Sequence, residues 1–139
     1  MIETVSDIGA EALSRYSAII DARSPAEFAE DRLPGAVNLP VLSDAERAEV
    51  GTIYKQDSRF KARRVGAAYV ARNVAAQLET ALADKQSGFH PLIYCWRGGM
   101  RSNSLAHILR SVGWRARLLQ GGYKAFRKFA SDDLERILS

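Results

Sequence analysis

The sequence predicts an α/β fold, a parallel sheet with helices on both faces, and three observations carry that expectation. Short apolar runs alternate with stretches of helical period along the 139 residues, an order that forms a parallel sheet joined by right-handed crossovers. The residue with the most evident chemistry, Cys95, falls at the carboxyl end of one apolar run, which is where such sheets place their ligand sites. No internal repeat, linker or low-complexity segment interrupts the pattern. The length suits one domain, 1–139, long enough to bury about two-thirds of its unfolded surface without staples.

Each element has a local cause. Ser17 to Ile20 reads as a short buried strand ending in Asp21. Ser24-Pro25-Ala26-Glu27 is a helix start: a side-chain oxygen caps free N–H groups, proline suits the first helical position, and a carboxylate sits near the positive helix end. Leu33-Pro34-Gly35 makes a turn, and Ala36 to Leu39 is a second short strand stopped by Pro40. Ser43-Asp44-Ala45-Glu46 is a capping box that opens a helix to about Thr52 or beyond. Phe60 to Ala83 carries alanines and apolar residues at three-four spacing, a long helix. Gly88 and Pro91 bracket the turn before the strand Leu92-Ile93-Tyr94. A helix from Ser102 to Ser111 closes at Gly113, Arg115 to Leu119 is the next strand, and Gly121-Gly122 turns into a final helix, Tyr123 to Leu138. Val41 to Ala83 exceeds what a crossover needs and reads as an insertion that carries specificity.

Cys95 is the chain's single cysteine, so no disulfide forms within it. With no signal-like leader, and no apolar run near the roughly 18 residues of a membrane span, a reducing, cytoplasmic setting without a membrane is expected. His90 and His107 have no partners at ligand spacing and read as structural, so no metal site is expected. The residues after Cys95 are Trp96-Arg97-Gly98-Gly99-Met100-Arg101-Ser102. Backbone N–H groups of such a loop, with the positive end of the following helix, favour an anion. The same features, with Arg97 and Arg101 nearby, favour the thiolate, the nucleophilic form of cysteine. A small buried hydrophobe is the alternative reading of a lone cysteine. It does not account for two glycines and two arginines in the next six residues.

Charge is unevenly spread. Residues 1 to 52 carry four basic and ten acidic groups; residues 53 to 73 carry Lys55, Arg59, Lys61, Arg63, Arg64 and Arg72 against Asp57 alone. Residues 97 to 128 carry eight basic groups and no acid. Two basic blocks, one containing the Cys95 loop, point to a polyanionic substrate or partner. Tyr54, Phe60 and Tyr69 lie among the first block's charges, but in no RNA-binding module pattern. A solvated basic helix face is the competing reading of that block.

Four segments in order, Asp21-Ala22-Arg23-Ser24-Pro25-Ala26-Glu27-Phe28, Leu33-Pro34-Gly35-Ala36-Val37-Asn38-Leu39-Pro40, the Cys95 loop and Gly121-Gly122-Tyr123, resemble the rhodanese (sulfurtransferase) domain almost from end to end. Cys95 to Arg101 spans seven residues, where ordinary rhodaneses have six, and this matches the Cys-x5-Arg signature of phosphatase relatives. Tyr94 to Ser102, Gln120-Gly121-Gly122-Tyr123-Lys124 and Gly51-Thr52-Ile53-Tyr54-Lys55 are similar to the amino-terminal domain of the tRNA 2-selenouridine synthase family. That resemblance implies replacement of the sulfur of wobble 2-thiouridine by selenium from selenophosphate, through a geranylated intermediate. It implies tRNA and selenophosphate, or another sulfur or selenium donor, as partners, with no resident cofactor. The family's second half carries a P-loop, and no G-x-x-x-x-G-K-[ST] occurs in these 139 residues. A P-loop domain or subunit is therefore missing from this chain, and the geranyl-transfer step is expected there.

The roles that follow are these. Cys95 attacks the donor's selenium or sulfur and carries it as a perselenide or persulfide. The amides of Trp96 to Arg101 bind the departing oxyanion or the terminal chalcogenide, and Arg101 is the expected bidentate oxyanion ligand. Ser102 is expected as the helix N-cap, with a hydrogen bond to the Cys95 sulfur as the other role. Gly98 and Gly99 serve the backbone, Trp96 packs or stacks on a base, Arg97 faces substrate or tRNA phosphate, and Met100 completes the loop. Lys55, Arg59, Lys61, Arg63 and Arg64 are the candidate tRNA contacts. Asp21 is expected in a buried backbone network, and Arg23 to pair with Glu27. Three rival readings stay open: a Cys-x5-Arg phosphatase or arsenate reductase, a generic thiosulfate sulfurtransferase, and a binding-only module, which usually lacks the loop cysteine. The phosphatase needs a placed acid, and no Asp or Glu occurs between Asp84 and Asp132.

Overall fold

Pro91–Tyr94 is buried at all four positions and lies at the centre of the sheet, which fits a strand covered on both faces. The computed structural model describes residues 2–138, with side chains described through Asp132. In chain order its elements are β1 (Thr4–Val5), α1 (Ala10–Leu13), β2 (Ala18–Asp21), α2 (Pro25–Glu30), β3 (Val37–Asn38), α3 (Asp44–Gln56), α4 (Arg59–Glu79), β4 (Pro91–Tyr94), α5 (Met100–Val112), β5 (Arg117–Leu119) and α6 (Gly122–Leu138). The five strands are ordered β1-β5-β4-β2-β3 and every pairing is parallel. Successive strand residues divide between the two faces with a period of two. Ile20, Ile93 and Leu118 join Val74, Leu105 and Leu109 in one core, and Ile19, Leu92, Tyr94 and Leu119 join Leu13, Leu33 and Tyr123 in the other.

The α/β expectation holds, with differences at particular elements. β1 and α1 have no counterpart among the elements the sequence predicts, since two and four residues are too few to show a period. Ser43 and Glu46 form the capping box as expected, and the helix they open runs on to Gln56. Gly113 closes α5 with φ of 112°. The expected long helix begins one residue earlier, at Arg59, and ends sooner, at Glu79, and turns follow it. The supposed insertion proves to be partly core. Val74 of α4 is fully buried, Asn73 donates to the Val41 carbonyl at 2.8 Å and Gln77 to the Pro40 carbonyl at 2.7 Å. α4 is thus the crossover helix from β3 to β4, and α3 packs on its outer side to make a hairpin.

Candidate active site

β2 and β4 are neighbours, so the segments after their carboxyl ends, Ala22 to Glu27 and the Cys95 loop, meet. Cys95 is 3% exposed, and its Sγ lies 3.1 Å from the Ser102 hydroxyl. The Cys95 carbonyl accepts from the Tyr123 N–H at 2.8 Å and the Trp96 carbonyl from the Lys124 N–H at 3.0 Å. The Gly98 and Gly99 carbonyls accept from the Asn103 side chain at 3.1 and 2.9 Å. By contrast, the N–H groups from Trp96 to Ser102 donate to no protein group among the described residues. The loop therefore turns its acceptors into the fold and leaves a run of donors for an anion.

Two glycines make the closure. Gly98 has φ of 78°, in the region L side chains avoid. Gly122 has φ of 58°, and a Cβ there would lie 2.3 Å from the Cys95 carbonyl oxygen and 2.9 Å from the Gly98 nitrogen. The start of α6 is thus in direct backbone contact with the loop.

Beneath the loop lies a fully buried network. Asp21 accepts from Arg23 Nη2 at 2.8 Å, from the Arg23 N–H at 2.8 Å and from the Tyr94 hydroxyl at 2.7 Å. The Tyr94 hydroxyl accepts from the Leu33 N–H at 3.1 Å. Burial pushes the Tyr94 phenol up, so it stays protonated and donates. Arg23 Nη2 also donates to the Asp31 carbonyl at 2.6 Å, and its guanidinium lies 4.2 Å from the Tyr123 ring centre. Tyr123 in turn donates to the Asp31 carboxylate.

The expected Arg23–Glu27 pair is corrected by these contacts: Arg23 belongs to Asp21, because it is drawn under the strand ends rather than along α2. Glu27 is bound to Arg101 instead, at 2.6 Å to Nη1 and 3.4 Å to Nη2, with Arg47 Nε 3.4 Å away. Burial works to raise the Glu27 carboxyl, but the bond and charge of Arg101, with the Ser24 bonds, outweigh it and hold it at about 2.

A rhodanese-like domain model matches residues 7–129. The chain belongs to the rhodanese-like domain family. Among curated relatives, the tRNA 2-selenouridine synthase of Nitrosomonas europaea is 39% identical over 136 residues, 94% of this chain and 35% of that protein. That of Pseudomonas fluorescens is 40% identical over 122 residues, 86% of this chain and 33% of that protein. The chain spans about a third of the length of the curated relatives it matches. The solved N-terminal domain of a putative ATP/GTP binding protein from Clostridium difficile is 36% identical with a TM-score of 0.74, and the match covers 94% of this chain and 98% of that one. A rhodanese-related protein from Thermoplasma volcanium, 12% identical with a TM-score of 0.56 over 91% of each chain, shares the fold.

In this rhodanese-like domain the candidate residues fall into two groups. Cys95, Trp96, Arg97, Gly98, Gly99, Met100, Arg101 and Ser102 form one turn from β4 into α5. The N-cap of α5 is Gly99 and not Ser102, because the helix begins at Met100; Ser102 stands in the first turn with its hydroxyl on the Cys95 sulfur. Trp96 is half-buried beside Tyr123, with ring centres 5.5 Å apart, while Arg97 and Met100 are exposed. Lys55, Arg59, Lys61, Arg63 and Arg64 are all exposed on the α3–α4 hairpin.

A cleft of about 560 Å³ borders the loop at Trp96, Glu27 and Tyr123. A second, of about 850 Å³, runs between α2 and α3 from Arg101 to Tyr54 and Lys55. Among the described residues, no group of acidic, histidine and cysteine side chains could hold a metal, and no helix is long and apolar enough to cross a membrane. Glu27 and Gly122 are the functional positions that sequence reasoning left without a loop contact. Their signals, a helix-start acid and a glycine pair, are ambiguous without the strand order.

Proposed function

We propose that this domain is a sulfur- or selenium-transfer module in which Cys95 carries the chalcogen for conversion of 2-thiouridine to 2-selenouridine in tRNA. The observation that carries the reading is a cysteine at a strand's carboxyl end, followed by seven residues whose amides are unclaimed. The curated relatives named tRNA 2-selenouridine synthase at 35–40% identity support the choice of substrate.

With thiosulfate the step balances as follows: Cys95 thiolate attacks the outer sulfur, the new S–S bond forms, and the old one breaks with its electron pair leaving on sulfite. With selenophosphate the same attack at selenium leaves the P–Se electron pair on phosphorus, so the balanced product is phosphite. In both cases the loop amides meet the oxyanion as it departs. The Ser102 hydroxyl, 3.1 Å from the sulfur, stabilises the thiolate by donating to it.

The cleft from Arg101 to Tyr54 and Lys55 connects the loop to the hairpin, whose Arg63 and Arg64 are free of ion pairs among the described residues. A cleft that reaches from the loop arginine to Lys55 supports a reading in which tRNA on the hairpin approaches the loop. The phosphatase reading loses support at Glu27, the acid in contact with the loop arginine. Held ionised to about 2, it has no proton to give a leaving group near neutrality.

The deciding experiment is intact mass measurement after incubation with selenophosphate and, separately, thiosulfate, with phosphorus NMR of the spent donor. One added selenium or sulfur on Cys95 is expected, with phosphite or sulfite released. Phosphate release with no added mass would show that Cys95 is not the carrier.

A further inference from the structure

The arginine best placed to receive an oxyanion already holds one. Glu27 presents both carboxylate oxygens to the Arg101 fork, at 2.6 and 3.4 Å, and the two side chains are only 16% and 17% exposed. The contact is no part of the loop's backbone bonding: the carbonyls of Cys95, Trp96, Gly98 and Gly99 are held by Tyr123, Lys124 and Asn103. Glu27 itself is anchored at the start of α2, where the Ser24 N–H and hydroxyl donate to Oε1 at 3.1 and 2.9 Å. On its solvent side stands a second cation, Arg47, whose Nε is 3.4 Å from the same oxygen and whose side chain is 51% exposed. The carboxylate therefore sits between two guanidinium groups, one beside the thiol loop and one on α3.

A carboxylate and a tetrahedral oxyanion present the same feature to arginine, two oxygens that accept from the fork. We propose that Glu27 is an internal placeholder for the donor's oxyanion, holding the Arg101 fork until a tetrahedral oxyanion that also bonds to the loop amides displaces it, whereupon Arg47 receives it. The inference rests on the reading of the loop as the donor's seat and adds the residue that sets its selectivity. An anion offering contacts to Arg101 alone gains nothing, because it exchanges one charged pair for an equivalent one. An anion that also reaches the free N–H groups of Trp96 to Ser102 gains those bonds, so occupancy of the seat selects for ligands that fill the whole loop. The capping role of Glu27 is separable, since glutamine serves equally at that position of a capping box.

The test uses sulfate as the probe and alkylation of Cys95 by iodoacetamide as the readout, at constant ionic strength. For each variant the rate with sulfate is divided by the rate without it, which removes any change in intrinsic thiol reactivity. The half-protecting sulfate concentration in Glu27→Gln is expected to be about tenfold lower than in the wild type, the scale of one charged hydrogen-bonded pair. Arg47→Gln, at an exposed site, is expected to raise it several-fold, and this effect should vanish in the double variant because no carboxylate remains to be received.

An unchanged or higher half-protecting concentration in Glu27→Gln would overturn the inference and make Glu27 a residue that merely holds Arg101 in place. So would an effect of Arg47→Gln that persists without Glu27. Should Glu27→Gln not fold, the Arg47→Gln comparison decides alone, no change or tighter sulfate binding being the adverse result. If sulfate protects neither wild type nor Glu27→Gln, the loop is not an oxyanion seat and the functional reading falls with the inference. Protection in the wild type that Glu27→Gln does not improve sinks the inference alone.

Discussion

Under and along the Cys95 loop two arginines are committed to carboxylates, Arg101 to Glu27 at 2.6 Å and Arg23 to Asp21 at 2.8 Å, while Arg97 of the same loop is exposed. On the α3–α4 hairpin the arginines are largely not so committed. Arg63 and Arg64 are exposed and carry no ion pair among the described residues, and Lys61 meets Asp57 at 3.0 Å with both side chains about half exposed, a pair worth little. Arg59 lies over Tyr54, and Phe60 is 74% exposed. Committed charge has a fixed position and so selects ligands by shape. Uncommitted charge on long side chains adapts to any polyanion, and its attraction is screened by salt. That contrast is what the proposed roles, a small donor at the loop and tRNA on the hairpin, require, and the following measurements break or sharpen it.

The largest effect is expected at the thiol. Cys95→Ala should leave the protein with no added mass after exposure to thiosulfate or selenophosphate, while its melting temperature moves little; retained mass elsewhere would relocate the carrier. Gly122→Ala comes next. The new methyl group would fall 2.3 Å from the Cys95 carbonyl, so overpacking should cost about 1–3 kcal/mol in denaturant unfolding and slow loading as well. Its hairpin counterpart, Gly51→Ala, meets nothing within 4 Å. At a helical position it should be stabilising by about 0.5–1 kcal/mol, with loading unchanged.

Arg63→Gln with Arg64→Gln should lower tRNA affinity and reduce the slope of log affinity against log salt by about 1.4–1.8, with sulfur loading unaffected. Unchanged tRNA binding with impaired loading would mean that the hairpin supports the loop instead. The smallest effect concerns acid. Glu27 has its carboxyl lowered from the ordinary value of 4.5 to about 2 by Arg101 and Ser24 against the opposing effect of burial. Its contribution to stability is therefore complete above pH 4.5 and is lost as pH falls through about 2. Glu27→Gln should flatten the stability profile across that window and nowhere else.

What was legible in the sequence is what is encoded by neighbours in the chain. The Ser43–Glu46 capping box, the Gly113 terminus and the Cys95 loop are each complete within a few residues, and each could be read locally. Ser102 shows the limit of that method. A serine before an apolar-periodic stretch reads as a cap, but Gly98 and Gly99 let the helix begin earlier, which moves Ser102 inside and turns its hydroxyl to the thiol. The Glu27–Arg101 pair joins residues 74 apart and exists because β2 and β4 are adjacent, an order that no local pattern specifies. The hairpin's charge was countable, but the packing of α4 into the core depended on Val74, Asn73 and Gln77 meeting the segment after β3.

The backward-facing carbonyls of the loop have a consequence for metals. Thiolates attract soft cations, yet a stable site needs several converging donors. Around Cys95 the carbonyls of Cys95, Trp96, Gly98 and Gly99 are each engaged by an N–H of the fold, and the N–H groups of Trp96 to Ser102, which donate to no protein group among the described residues, disfavour positive charge. A zinc or copper ion reaching this sulfur would find, among the described residues, no group of acidic and histidine side chains to complete a chelate. The backbone arrangement proposed to seat an oxyanion beside the cysteine would thus also work against the coordination chemistry to which a reactive thiol is otherwise exposed.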